Sequence, residues 1–127
     1  MTTQASTVDV VVVGGGIGGL SSALALTRAG QRVRVLEQAP AFGEVGAGMQ
    51  MAPNATRILR SWGLLDEVVN HGVVPRRLVM RDAVDGTHLT YLDLAATQDR
   101  YGAPYVVIHR SDLHAILVRA CRAAGCT

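Results

Sequence analysis

The apolar positions of this chain change period several times, and each change marks an element. Val10 to Val13 is an unbroken β-branched run, the pattern of a strand buried on both faces. A helix is expected from Ile17 to Ala29, stopped by Gly30, with a second strand from Arg32 to Leu36. Pro53 suits the first turn of another helix, where Ala55, Ile58, Leu59 and Trp62 recur at i, i+3, i+4 and i+7 before Gly63. Leu64 to Asn70 adds a short helical turn ahead of Gly72. Arg76 to Asp82 and His88 to Leu94 flank Val84-Asp85-Gly86-Thr87, a hairpin signal centred on Asp-Gly. Tyr105 to His109 reads as a further strand, followed by Ser111 as N-cap and Asp112 in the first turn of a helix. Leu113, Ile116, Leu117, Ala120, Cys121 and Ala124 form that helix's apolar face, and Gly125 ends it.

The junction between the first strand and helix carries the chemistry. Gly14-Gly15-Gly16-Ile17-Gly18-Gly19 satisfies G-x-G-x-x-G through Gly14, Gly16 and Gly19. Gly14 permits the tight turn, Gly16 lets the backbone approach a pyrophosphate, and Gly19 lets helix and strand pack closely. The unpaired N–H groups and positive dipole end of the helix then face the phosphates. Glu37 closes the second strand about 20 residues past the fingerprint, where a carboxylate accepts hydrogen bonds from a ribose diol. A carboxylate there repels a 2′-phosphate, which favours FAD or NAD over NADP. Residues 8–37 are therefore expected to form a dinucleotide-binding βαβ unit.

Composition narrows the picture only modestly. At 127 residues and 49% hydrophobic content the chain has the length of one domain and enough apolar surface for a core. A net charge of +2 and five scattered aromatics argue against nucleic acid or an anionic membrane as partner. All 12 basic residues are arginine, a usage that reflects genome composition more than function. Met1 to Thr7 is polar and lacks a targeting pattern, so a cytoplasmic location is expected. Cys121 and Cys126, spaced C-x4-C without a second pair, read as two reduced thiols, and no metal site is expected.

A second glycine cluster, Gly43, Gly46 and Gly48, suits either a backbone lying against a flat ligand or an irregular turn. Arg110, at the strand–helix junction, suits either a ligand contact or an ordinary surface arginine. Ser111, Asp112 and His114 have the residue types of a hydrolase triad, but they crowd within one helical turn and no G-x-S-x-G elbow is present. His109 and His114 straddle a strand–helix junction and are poor metal partners, while His71 and His88 fall in turn or strand-edge settings. Adjacent Asp66 and Glu67 do not face each other across a substrate.

Val10 to Gly19, Leu36-Glu37-Gln38-Ala39-Pro40 and the run Phe42-Gly43-Glu44-Val45-Gly46-Ala47-Gly48-Met49-Gln50 together resemble the single-component FAD-dependent aromatic hydroxylases, in their salicylate hydroxylase branch. Arg57 to Gly63, Arg100 to Tyr105 and His109 to His114 extend the resemblance over nearly the whole chain. The implied fold is α/β: a Rossmann-like FAD-binding βαβ unit, with the hairpin at 76–94 opening a second, substrate-domain sheet. The resemblance also implies that residues 1–127 are the N-terminal part of a longer FAD-binding domain whose remainder is absent.

The cofactor-binding positions it implies are Gly14, Gly16, Ile17, Gly18, Gly19, Glu37 and Gln38. Gln50 would face flavin or substrate, and Arg110 would contact the ribityl–phosphate region. The second glycine cluster would lie beside the isoalloxazine ring. Family chemistry uses NADH as co-substrate to reduce FAD, and O2 to hydroxylate a phenolic aromatic acid; 3-hydroxybenzoate giving 2,5-dihydroxybenzoate fits best. Salicylate and hydroxynicotinate are the alternatives, and a homodimer is the implied assembly. No catalytic residue is assigned, because the base that activates the phenol matches nothing in these 127 residues. Two competing readings are a non-catalytic nucleotide-binding fragment and the Rossmann domain of an NAD-dependent dehydrogenase; the second glycine cluster and the early hairpin argue against the latter.

Overall fold

The computed structural model describes residues 7–41 and 46–127, which fall into two compact units: residues 7–41 with Leu113–Thr127, and Gly46–Asp112. In the first unit, β1 (Val10–Val13) pairs in parallel with β2 (Val33–Leu36), Val10 opposite Val33 and Val13 opposite Leu36. The crossover between them is α1 (Ile17–Arg28), which buries Leu20, Ala23 and Leu24. Asp9 ties the two strand starts together. Its carboxylate accepts the Arg32 N–H at 2.9 Å and meets the Arg32 guanidinium at 2.6 Å.

β1 is not buried on both faces as its composition suggests: Val11 is 53% and Val13 83% exposed. Side chains alternate along a strand, so Val12 faces α1 while Val11 and Val13 point to the opposite, more exposed face. Thr127 lies along the other edge of β2, donating its N–H to Val33 O at 3.2 Å and accepting the Val35 N–H at 2.8 Å.

The second unit opens with β3 (Gly48–Met51) and continues through α2 (Pro53–Ser61) and α3 (Leu65–His71) to the hairpin β4 (Arg77–Arg81) and β5 (His88–Asp93). α4 (Ala95–Tyr101) and β6 (Val106–His109) follow, and β6 pairs antiparallel with β3, Gln50 opposite Val107. The hairpin turn is closed by Asp82, whose Oδ1 accepts the Val84 N–H at 2.7 Å, with Gly86 at φ +76°. Every residue of β4 and β5 is exposed, and the two strands form a sheet of their own.

The apolar face expected for α2 is rotated by one residue. Ile58 is half exposed, whereas Thr56 is fully buried with Leu59. The Thr56 hydroxyl donates to the Pro104 carbonyl at 2.8 Å, and that satisfied bond allows a polar residue at the centre of the buried face.

The last helix, α5 (Arg110–Ala124), begins in the second unit and contributes Leu113–Ala124 to the first. Leu113, Ile116, Leu117 and Cys121 are buried as expected, but Ala124 is exposed and His114 takes its place in the interior. Ser111 is not the N-cap, because the helix already starts at Arg110. Its hydroxyl instead sits 2.6 Å from Nδ1 of His109, which also accepts the Ser111 N–H at 3.3 Å.

Candidate nucleotide-binding site

The turn after β1 is built as the fingerprint requires. Gly14 has φ +102°, a region closed to most side chains, and its N–H donates to Leu36 O at 2.7 Å, fastening the turn to β2. Gly16 is the N-cap of α1 in an extended conformation without a side-chain cap. The first intrahelical bond runs from the Leu20 N–H to Gly16 O at 2.9 Å, so the N–H groups of Ile17, Gly18 and Gly19 lie ahead of it at the positive end of the helix. A Cβ on Gly19 would stand 1.9 Å from the Gly14 carbonyl oxygen. Helix and turn approach more closely than any side chain permits.

Glu37, just past β2, reaches back to this turn. Its Oε2 accepts the Gly15 N–H at 2.7 Å and its Oε1 accepts the Ala39 N–H at 2.8 Å. These two bonds, Ala39 foremost and Gly15 next, hold the carboxyl below the usual carboxylate range against a smaller opposing effect of desolvation. A carboxylate offers about four lone-pair sites, so acceptor capacity remains beyond these backbone donors. Gln38 follows on the exposed surface.

His114 is a further partner of this turn, one that its place in the sequence does not announce. It is 5% exposed, and its Nε2 donates to Gly15 O at 2.7 Å. The signal available in the sequence was a polar residue at i−3 from Leu117 and i−7 from Cys121, on an otherwise apolar stripe.

Gln50 and Arg110 belong to the second unit. Gln50 is exposed on β3, where its Oε1 accepts the Tyr105 hydroxyl proton at 2.5 Å. Arg110 donates its N–H to Ala47 O at 3.3 Å, and a Cβ on Gly46 would lie 2.7 Å from the Arg110 Cβ. Gly46 is thus bare because the arginine stem crosses it. Phe42, Gly43, Glu44 and Val45 lie outside the described residues. The structure brings Gly14, Gly16, Ile17, Gly18, Gly19, Glu37 and Gln38 together in one unit, with Gln50 and Arg110 in the other.

Cys121 is a buried free thiol donating to Leu20 O at 3.2 Å, and desolvation with the nearby Cys126 pushes it up to about 12. Among the described residues no group of His, Cys, Asp and Glu is arranged to hold a metal, and no helix is long and apolar enough to cross a membrane.

The chain matches the FAD binding domain family over residues 7–127 and belongs to it. It is 42% identical over 126 residues to the 3-hydroxybenzoate 6-hydroxylase of Polaromonas naphthalenivorans (strain CJ2), an alignment covering 98% of this chain and 32% of that protein. It is 39% identical over 112 residues to the 6-hydroxynicotinate 3-monooxygenase of Bordetella bronchiseptica (strain ATCC BAA-588 / NCTC 13252 / RB50), covering 87% of this chain and 29% of that one. Among solved structures it is similar to aklavinone-11 hydroxylase in a ternary complex with FAD and aklavinone. The TM-score is 0.77 at 32% identity, over 98% of this chain and 25% of that one. The chain therefore spans about a third of the length of the curated relatives it matches.

Proposed function

We propose that this chain is the N-terminal FAD-binding segment of a flavin-dependent monooxygenase that hydroxylates a phenolic aromatic acid. The observation that carries the cofactor reading is the pairing of the Gly14–Gly19 turn, too tight for a Cβ, with a carboxylate at the end of β2 bonded to that same turn. These residues fit FAD. Gly16 lets the backbone approach a pyrophosphate, the N–H groups of Ile17 and Gly18 offer it donors, and the remaining acceptor sites of Glu37 take ribose hydroxyls. When bound, FAD would supply the redox chemistry of NADH-dependent oxygen insertion into the ring. The protein's part is to bind, orient and shield from water. Arg110 is assigned to the ribityl–phosphate region on the family resemblance, and its guanidinium suits phosphate by charge and by its planar fork. Gln50 is assigned to flavin or substrate on the same ground.

The substrate reading is 3-hydroxybenzoate, converted to 2,5-dihydroxybenzoate. It is supported by the 42% identity to the hydroxylase of that name, while the 6-hydroxynicotinate enzyme stands close behind. A cytoplasmic location and a homodimer belong to the same reading. The test is turnover by the protein that carries this segment, with NADH, O2 and each candidate acid, followed by chromatography of the product. Formation of 2,5-dihydroxybenzoate from 3-hydroxybenzoate supports the reading. Product from 6-hydroxynicotinate alone overturns the substrate, and NADH oxidation without any hydroxylated product overturns the activity. Within the site, Glu37→Ala is expected to weaken FAD binding roughly tenfold or more by removing charge-assisted acceptors. Unchanged affinity would remove Glu37 from the ribose role.

A further inference from the structure

Gly15 is gripped from two sides. Its N–H is held by Glu37 at 2.7 Å and its carbonyl by Nε2 of His114 at 2.7 Å, so the peptide units on either flank are each fixed by one side chain. A carbonyl oxygen only accepts, so Nε2 carries the proton in this contact. The peptide between Gly15 and Gly16 is planar and trans, which sets the Gly16 N–H antiparallel to the Gly15 carbonyl. Anchoring that carbonyl therefore aims the Gly16 N–H away from His114. Glycine offers no side chain to hold this orientation, and Gly16, as the N-cap of α1, supplies no side-chain cap bond, so the grip from α5 helps to set the direction of the donor. His114 is itself immobilised: it is 5% exposed on the helix face that buries Leu113 and Leu117.

We propose that His114 is a positioning residue for nucleotide binding, orienting the Gly15–Gly16 peptide so that the loop presents its N–H groups already arranged for a pyrophosphate. The proposal rests on the FAD reading above and extends it to a residue on a distant segment of the chain. Preorganisation of this kind raises affinity by lowering the ordering cost on binding, without contact to the ligand.

The test compares His114→Gln, which keeps an amide N–H donor, with His114→Met, which has similar length and no donor. FAD affinity is measured by quenching of flavin fluorescence, and the thermal midpoint of each ligand-free protein is recorded alongside. Loss of one hydrogen bond that orders the loop is expected to weaken FAD binding roughly tenfold in His114→Met, with His114→Gln restoring most of it. Because His114→Met also strips a buried carbonyl of its donor, its ligand-free midpoint should fall below that of His114→Gln, and both affinities are read at a temperature where each variant is fully folded. Equal FAD affinity in the two folded variants overturns the positioning role while leaving the FAD reading standing. A folded wild-type protein that does not bind FAD overturns both.

Discussion

Replacing Gly19 with alanine sets a methyl carbon 1.9 Å from the Gly14 carbonyl oxygen, 3.1 Å from the Gly14 carbonyl carbon and 3.4 Å from Val12 Cγ1. Non-bonded carbon and oxygen approach to about 3.3 Å at closest, so α1 and the turn must part by about 1.4 Å. The obstructing atom is backbone and cannot swing away. Gly14 is fastened to Leu36 O at 2.7 Å and Gly15 to Glu37 at 2.7 Å. Overpacking that forces a backbone shift costs about 1–3 kcal/mol or more, and the helix propensity of alanine over glycine offsets about 1 kcal/mol of it. Because the obstruction is fixed backbone, the upper end of that range applies, and the net expectation is a destabilisation of about 2 kcal/mol. Gly18 is the internal control: it lies on the same turn of α1, and its added Cβ meets nothing within 4 Å. Gly18→Ala should stabilise by about 0.5–1 kcal/mol. Urea unfolding of the ligand-free variants measures both. Opposite signs support the argument, and Gly19→Ala as stable as wild type would refute the close approach on which the nucleotide turn depends.

Two further perturbations test other parts of the structure. Thr56→Val keeps the buried volume but strips the Pro104 carbonyl of its donor, and urea unfolding should show a loss of about 1–2 kcal/mol; no loss would mean that the bond at 2.8 Å contributes nothing. Arg32 holds the Asp9 carboxyl down at about 2, below its unfolded value of about 3.9, so the pair stabilises the fold above pH 4 and that contribution disappears as pH falls towards 2. Asp9→Asn should lack this acid-dependent component in thermal melts taken across that window. A mutant with the same pH profile as wild type would assign the acid sensitivity to other carboxylates.

The parts of the fold legible in the sequence are those whose signals are local. The Val10 to Val13 strand, the glycine turn, the Pro53 and Gly63 punctuation of α2 and the Asp-Gly hairpin each carry their cause within a few residues. β3 is not legible, because Gly48-Met49-Gln50-Met51 has no β-branched residues and alternates over only four positions, and it is held by pairing with β6 far along the chain. α4 buries none of its residues and so shows no apolar stripe; its marks are Asp93 accepting the Ala95 N–H at 3.0 Å and Gly102 at φ +73°. At the candidate site the glycines and Glu37 announce themselves by spacing. His114 does not, because its partner is the carbonyl of Gly15, 99 residues away along the chain.

The central claim is that this fold is made to hold FAD, and a direct titration of the purified protein with FAD and, separately, NAD tests it. Circular dichroism first establishes that the protein is folded. Saturable quenching of flavin fluorescence, without saturable binding of NAD over the same concentrations, is the expected result. A folded protein that binds NAD in preference, or neither nucleotide, would contradict the account.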